Sequence, residues 1–319
     1  MNQESRIIKK GIYLVIATAV ISGLANFFNK FGLQALGKNA YQYTTLKNVI
    51  VALVLSLIIL TPRLWPKLKS LTKKDWGKLV LIGLVGGSAP FLLFFKGLSL
   101  TSAVSASFIH KTLFVWVALM AWPILKEKIT KLQFLALGIL LLGNVIFEGF
   151  KGLAWGTAET LILIATLFWA AESVIAKISL KDIDPTVLAW GRMAFGALFL
   201  LGFLLVTGNT AGLFTLSASQ FGWLFLASGL LTGYVITWYA ALKKLPATVV
   251  TCFLVIASPI TTFLNAAFVS HKLASQNVWG MMIILSALIL FIIARSPRAT
   301  EVISRLLRRR SPEATSSSQ

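Results

Sequence analysis

Residues 101–147 read TSAVSASFIHKTLFVWVALMAWPILKEKITKLQFLALGILLLGNVIF, and this segment is the main indication of the fold. Two apolar runs, each about long enough to cross a bilayer, flank a short charged turn around Glu127. Inside the first run lie His110 and Lys111, two protonatable side chains at a depth where hydrocarbon is expected. A related layout returns about 145 positions later. The pattern predicts membrane helices, and the two polar residues raise the question of function.

The composition is that of an integral membrane protein. The chain is 57% hydrophobic and 13% charged, with a mean hydropathy of +0.83, whereas a soluble domain is about one quarter charged. The net charge of +20 does not indicate nucleic-acid binding, because the basic residues lie in short loops and at the termini. Cys252 is the only cysteine, so we expect no intramolecular disulfide and no Cys/His metal cluster. We also expect no cofactor.

Ten windows of the sequence are long and apolar enough to span a membrane. They are residues 11–31, 42–61, 78–97, 102–124, 131–148, 156–178, 186–207, 221–242, 247–269 and 277–295. The first window follows basic residues, as in a signal peptide, but it is longer than the usual apolar core of about 7–15 residues. We therefore expect it to be an uncleaved membrane helix.

The distribution of lysine and arginine predicts the orientation. If the N-terminus is cytoplasmic, 22 basic residues fall on the cytoplasmic side and 5 on the other side. Cytoplasmic loops carry such an excess, so we expect a multi-pass protein of the cell membrane with both termini in the cytoplasm. Lys47, Lys111 and Arg192 remain inside spans.

The two halves of the chain carry corresponding landmarks. Lys47 and Arg192 are separated by 145 positions, as are Phe94 and Tyr239. Each half holds five spans, an odd number, so the second half enters the membrane in the opposite orientation. The sequence thus predicts an all-α integral membrane protein with ten transmembrane helices in two five-helix inverted repeats, an arrangement typical of transporters. The predicted units are two repeats and a basic, serine-rich cytoplasmic tail: residues 1–150, 151–295 and 296–319.

Several motifs carry a resemblance to a known family. The first half contains GLSLTSAVSAS and LKEKITKLQ, and the second contains YAALKKLPATVVTCFLVIASPI. With Glu127 after the fourth helix, Arg192 early in the seventh and Pro259 in the ninth, the chain resembles a ten-span member of the drug/metabolite transporter superfamily. The resemblance covers about residues 10–295 and implies that each repeat is an EamA-type domain.

This sequence departs from that family at several positions. Phe114 stands where the first repeat often has proline, His271 where the second often has glutamate, and Lys47 where arginine is usual. His110 and Lys111 occupy places that are normally apolar or small. The resemblance therefore implies a fold and a transport function, but no particular substrate.

Ionisable side chains near the bilayer centre cost about 2.5–3.5 kcal/mol each and usually face the bundle interior. Lys111 lies about 15 Å into its span, so we expect it to face a central cavity. There it binds an anion or exchanges a proton, or else it is paired permanently with Glu172 or with a backbone carbonyl group. Ser107 lies one turn earlier on the same face. His110 points about 100° away and either relays protons or bonds between helices.

The sixth and seventh spans hold further candidates. Glu172 shares a helix face with Trp169 and either recognises an amine, carries a coupling proton or acts as a fixed counter-ion. Lys47 and Arg192 occupy equivalent places in the two repeats. They either gate the pathway or bind anions, or they extend to the lipid headgroups.

Neutral polar groups mark the second half. In the ninth span Thr251, Ser258 and Asn265 recur at helical spacing and either line the cavity or bond to other helices. Tyr234 and Trp238 in the eighth span are candidate cavity walls.

The third span contains Gly83, Gly86, Gly87 and Pro90. Proline removes a backbone hydrogen bond and kinks a helix, so we expect a break there and a movable segment.

These features favour a secondary transporter, an exporter or exchanger of a small polar metabolite such as an amino acid or organic anion. No nucleophile-elbow, zinc-protease or phosphate-loop motif occurs, so we do not expect an enzyme. The expected partners are the small-molecule substrate, the lipid bilayer and a coupling proton, and the sequence leaves the oligomeric state open. The alternative is a non-transporting membrane scaffold or sensor.

Overall fold

The computed structural model describes residues 3–37, 39–101, 103–149, 155–210 and 216–294. The tail predicted at residues 296–319 lies outside this part of the chain. So do Lys38, Lys151 and the arginines from Arg295 onward, which contributed to the orientation prediction.

Every regular element in the described residues is helical, which confirms the all-α prediction. In chain order the α-helices are α1 Gln3–Ala35, α2 Ala40–Ile59, α3 Trp65–Lys69, α4 Lys73–Val85, α5 Ala89–Leu98, α6 Ala103–Lys111, α7 Leu113–Leu125, α8 Lys131–Glu148, α9 Thr157–Ser179, α10 Pro185–Val206, α11 Ala218–Lys244, α12 Ala247–Leu254, α13 Ala257–Asn265 and α14 Ser275–Ile293. A π-helical turn, Ala266–Ser270, follows α13.

Ten helical segments in this part of the chain are long and apolar enough to cross a membrane, as predicted. They are Ser5–Ala35, Ala40–Ile59, Lys73–Leu98, Ser105–Leu125, Lys131–Glu148, Thr157–Ser179, Pro185–Val206, Ala218–Lys244, Ala247–Ser270 and Ser275–Ile293. The first begins earlier than the apolar pattern indicated, because lysine and arginine are good helix formers and let the helix continue past the apolar run. Large apolar side chains such as Leu57, Phe134 and Phe268 are each about 70% exposed, as expected for a lipid-facing surface.

The third span is broken between α4 and α5, as its glycines and proline predicted. The carbonyl groups released at the break find donors on neighbouring helices. Trp169 Nε1 donates to the oxygen of Gly86 at 3.2 Å, and Asn48 Nδ2 donates to that of Gly87 at 3.3 Å. Such breaks are tolerated inside a membrane where neighbours satisfy the backbone.

The fourth and ninth spans are broken at corresponding places. Helix α6 ends at Lys111, and α12 gives way to α13 around Ile256, which lies 145 positions later. The first of these breaks forms without a proline: Thr112 turns its hydroxyl back to the carbonyl oxygen of Ile109 at 2.6 Å. A hydroxyl bonded to its own backbone in this way bends helices.

The spans pack in pairs that draw on both halves of the chain. Span one packs on span eight, three on six, two on seven, four on six, nine on one, and five on ten. Each span of one half therefore makes the same contacts as the corresponding span of the other half: the pair of spans one and eight corresponds to that of six and three, and the pair of four and six to that of nine and one. Spans five and ten, α8 and α14, pack mainly on each other, and the other eight spans surround the centre.

Glu127 joins the two halves at the charged turn. Its carboxylate accepts hydrogen bonds from the backbone N–H of Ala247 at 2.6 Å and of Thr248 at 3.2 Å, and from the Thr248 hydroxyl at 2.8 Å. These donors lie in the first turn of α12, where helical N–H groups have no internal partner and the helix dipole favours an anion. The residue that marks the family resemblance is therefore a helix cap.

Candidate functional site

A cavity of about 360 Å³ lies in the interior of the bundle. It is lined by side chains from eight of the ten spans, and α8 and α14 do not contribute to it. The lining combines ionisable, polar, aromatic and small apolar residues: Ser22, Ala25, Asn26, Asn29, Leu33, Tyr43, Lys47, Phe91, Phe94, Phe95, His110, Lys111, Leu113, Phe114, Trp169, Glu172, Ser173, Arg192, Ala227, Leu231, Tyr234, Trp238, Thr251, Leu254 and Val255.

The charged side chains lie at two levels. We call the bundle end where α1 ends and α2 begins the α1/α2 end, and spans four and six also begin there. Lys47 lies seven residues into α2 and Lys111 eight residues into α6, so both backbones are about 10–12 Å from this end. Glu172 lies fifteen residues into α9, about 22 Å from the same end. Arg192 approaches from the opposite end, seven residues into α10.

The deeper level is a cluster that combines one ion pair with two hydrogen bonds. Arg192 Nε lies 3.9 Å from Glu172 Oε1, and an Arg192 amino group donates to the carbonyl oxygen of Gly86 at 3.0 Å. The Tyr239 hydroxyl donates to the same Glu172 oxygen. Glu172 is thus paired with arginine, not with Lys111, and the fixed counter-ion interpretation describes its geometry.

Lys111 lines the cavity. It is the last residue of α6, so its positive charge lies at the negative end of that helix dipole. No carboxylate oxygen in the described residues is within 4 Å of its amine. The acidic group that acts on its charge is Glu148 at the end of α8, whose Oε1 accepts a hydrogen bond from Ser107 at 2.9 Å.

Lys47 is 8% exposed and lines the cavity instead of extending to lipid headgroups. Its amine lies 3.4 Å from Asn29 Oδ1 and 5.1 Å from the centre of the Tyr43 ring. The Tyr43 hydroxyl donates to the same Asn29 oxygen at 2.8 Å. Arg192, at 7% exposure, also lies in the interior, so neither cation reaches a headgroup.

Aromatic rings form much of the wall around His110. The imidazole lies edge-on to Trp169, with ring centres 4.7 Å apart, and to Phe94 at 5.4 Å. Its Nδ1 is buried and has no hydrogen-bond partner in the described residues. Tyr234 and Trp238 stack at 6.0 Å on another side of the cavity. Apolar walls with a few placed polar groups are typical of small-molecule sites.

Comparison with known proteins assigns the chain to a family. The model of the EamA-like transporter family matches residues 9–147 and again residues 156–293. The chain belongs to the EamA-like transporter family. This confirms the resemblance carried by the sequence motifs.

Relatives of this EamA-like chain are themselves named only as transporters. The uncharacterized transporter YyaM of Bacillus subtilis is 25% identical over 240 residues, covering 72% of this chain and 78% of the relative. An uncharacterized transporter of Clostridium kluyveri is 27% identical over 208 residues, covering 63% and 67%. A solved crystal structure at 15% identity covers 95% of this chain and 99% of its own with a TM-score of 0.71, which supports the fold alone.

Three predicted site residues of this EamA-like chain do not line the cavity. Ser107 is turned to Glu148, and Ser258 is buried with a hydroxyl that has no partner in the described residues. Asn265 lies at the end of α13, beyond the part of the ninth span that reaches the cavity. Of the predicted stripe only Thr251 contributes to the lining; Ser258 and Asn265 lie beyond Val255, the last residue of the ninth span that lines the cavity.

Several residues that matter to the site were not predicted. Asn26 and Asn29 lie three residues apart on α1 and both line the cavity, a helical spacing of amides that the sequence displays. Tyr43 and Glu148 were missed because both stand near span ends, where tyrosine and glutamate are ordinary interfacial residues. In the described part of the chain, no group of three or more His, Cys, Asp or Glu side chains is placed to hold a metal ion.

Proposed function

We propose that the protein is a secondary transporter of a small organic anion or amino acid that works by alternating access. The observation that carries the proposal is an interior cavity holding two lysine amines, an arginine–glutamate pair and aromatic walls. Its volume of about 360 Å³ falls in the range of small-ligand sites, roughly 300–1,000 Å³.

The charges of the lining favour a substrate with a negative group. Lys47, Lys111 and Arg192 carry positive charge, and Glu172 is the acidic side chain among the lining residues. A bulky lipophilic cation would meet an excess of like charge in a medium that screens poorly. A carboxylate, alone or within a zwitterion, would be attracted.

Movement would come from the two repeats, taken as residues 1–150 and 151–295. The breaks in spans three, four and nine all lie beside the cavity. Discontinuous helices at the repeat interface are the usual site of binding and of rocking in transporters built from inverted repeats. A proton or substrate gradient would supply the energy, since the sequence contains no phosphate-binding loop.

The proposed location is the cell membrane, with both termini in the cytoplasm. For an organic anion, an inside-negative potential favours export by about 2.3 kcal/mol per charge for each 100 mV. The direction proposed for an anionic substrate is therefore outward, as an exporter or exchanger.

The test is counterflow in proteoliposomes made with the full-length protein and loaded with single amino acids or organic acids. We expect saturable uptake of labelled substrate that Lys111→Met abolishes and Lys96→Met leaves intact, because Lys96 is exposed and lies outside the cavity lining. Thermal unfolding of each variant shows that it is folded. If folded wild-type protein exchanges no solute of the panel, the transport proposal fails and a membrane scaffold or sensor takes its place.

A further inference from the structure

We propose that the cavity selects a dicarboxylate, held at one end by Lys47 and at the other by Lys111. This inference rests on the proposed transport function and names its substrate class. The two amines are the only lysine amines lining the cavity in the described residues, and they belong to helices that start at the same bundle end.

Lys47 is a buried cation whose charge no carboxylate offsets. Within the described residues, no carboxylate oxygen lies within 4 Å of its amine. Its neutral neighbours are the Asn29 amide oxygen at 3.4 Å, a long contact, and the face of Tyr43. An ammonium group has three donors, and burial of a charge is costly unless it is paired. The amine therefore has both the spare donors and the energetic reason to bind an anion.

Lys111 also lines the cavity and is likewise without a paired carboxylate within 4 Å in the described residues. The described residues provide no hydrogen-bond acceptor for its amine, and Glu148 acts on it only at longer range. The Glu148 carboxylate is itself occupied by the Ser107 hydroxyl at 2.9 Å and does not line the cavity. A carboxylate that entered the cavity would reach this amine without having to displace a protein acid from it.

The remaining charges of the cavity cancel each other. Arg192 lies 3.9 Å from Glu172 and also donates to the Gly86 carbonyl oxygen. The cavity is therefore left with two positive charges, one on each lysine. A dianion neutralises both, a monoanion leaves one unpaired, and a zwitterion adds a cation where two already stand.

The depths and walls of the site suit two carboxylates joined by a short carbon chain. Lys47 and Lys111 lie at nearly the same depth, about 10–12 Å from the α1/α2 end. The apolar side chains of Leu113 and Phe114 follow Lys111 directly and also line the cavity, so they offer a surface for the methylene groups.

The experiment compares four-carbon compounds that differ in charge: succinate, butyrate and 4-aminobutyrate, with inorganic phosphate as a further arm. Binding is measured as a rise in the thermal midpoint of the purified full-length protein, and transport by counterflow in proteoliposomes. We expect succinate to give the largest shift and the fastest exchange. Lys47→Met and Lys111→Met should each weaken succinate binding at least about tenfold, the scale of one charged hydrogen bond, whereas Lys47→Arg and Lys111→Arg should retain part of it.

The outcomes separate this inference from the transport proposal. If butyrate or 4-aminobutyrate is bound and exchanged as well as succinate, transport stands and the dicarboxylate assignment is overturned. If phosphate outcompetes succinate, the assignment is likewise overturned. If Lys47→Met and Lys111→Met unfold, the dicarboxylate assignment is still tested by the lysine-to-arginine variants and by the comparison of solutes on wild-type protein. If no solute is exchanged by folded protein, the transport proposal itself fails.

Discussion

Nε of Arg192 lies 3.9 Å from Oε1 of Glu172 in the interior, where the two residues are 7% and 3% exposed. The pair connects span seven to span six. Arg192 also donates to Gly86, so the pair holds the break in span three as well. Tyr239 of span eight donates a hydrogen bond to Glu172 and so connects that span to the pair. Four spans thus meet at one ion pair on the cavity floor.

Removing one charge of this pair should lower the free energy of unfolding by more than removing both charges. Arg192→Met leaves a buried carboxylate without its cation, and Glu172→Leu leaves a buried guanidinium without its anion. Each single change should cost about 3–5 kcal/mol, and the double change less than the sum. Unfolding of all four proteins in the same detergent measures the coupling, and strict additivity would show that the pair contributes no interaction energy.

The contact between the broken third span and α10 depends on two glycines. A side chain at Gly87 would meet the carbonyl oxygen of Arg192, and one at Gly196 would meet the backbone of Gly87. Gly87→Ala and Gly196→Ala should each destabilise the protein by about 1–3 kcal/mol, because backbone atoms do not move aside as a flexible side chain does. Gly202→Ala is the matched control in the same helix, since nothing lies within 4 Å of its added methyl group. Equal midpoints for the three variants would contradict the proposed close approach.

Most of the fold follows from the sequence because membrane helices obey a simple rule of length and hydropathy. The ten windows, the break at Gly86 and Gly87 and the family resemblance all rest on local patterns. The break after Lys111 was not predicted, because no proline or glycine marks it and the cause is the hydroxyl of Thr112 bonded to its own backbone. Which helices pair cannot be read locally, since every lipid-exposed or buried face is similarly apolar.

The site was only partly predictable for a related reason. Depth can be counted along a helix, so the sequence alone was enough to predict that Lys111 lies deep in its span. Choice of partner requires knowledge of neighbouring helices, and Glu172 is paired with Arg192 and not with Lys111. Lys47 was left open between cavity and headgroup, because a lysine one to two turns from a span end is able to reach either.

The cap that Glu127 provides to α12 should be measurable. Glu127→Ala removes the acceptor for the N–H groups of Ala247 and Thr248, so it should cost about 1–2 kcal/mol of stability. Lys128→Ala, an exposed neighbour, should change little. The two variants are compared by thermal unfolding, and a Glu127→Ala protein as stable as Lys128→Ala would refute the capping role.

Acid should weaken the contact between Asp184 and Lys67. The Asp184 carboxylate caps α10 through the Thr186 N–H at 2.9 Å and accepts a hydrogen bond from the Lys67 amine at 2.6 Å. Burial raises the pKa of Asp184. The two hydrogen bonds lower the pKa by more than burial raises it, so the pKa lies below the ordinary value of 3.8. A lowered pKa in the folded state gives stability that is present above pH 3.8 and is lost as the pH falls through the folded pKa.

The pH prediction is tested with Asp184→Asn, which lacks the titrating group. Wild-type protein should have the higher thermal midpoint near neutral pH, by a modest amount because Lys67 is 45% exposed and the pair is screened. The difference should shrink below about pH 4, where the carboxyl of the unfolded chain begins to be protonated while that of the folded protein is still charged. A difference that stays constant down to pH 3 would rule out the titration of Asp184 as its source.

Glu148 should weaken the binding of an anionic substrate at Lys111 by long-range repulsion. It acts on the charge of that lysine from outside the cavity. Glu148→Gln removes this negative charge and preserves an acceptor for the Ser107 hydroxyl. Succinate should bind the variant several-fold more tightly, since a weakly screened negative charge has been withdrawn from the site. Glu159→Gln is the matched control. Glu159 also lies at the α1/α2 end and accepts a hydrogen bond from a hydroxyl group, that of Thr101, but it does not line the cavity. Both variants are titrated with succinate. An equal gain in affinity would reflect the overall charge of the protein, and a loss of affinity in Glu148→Gln would show that Glu148 supports Lys111.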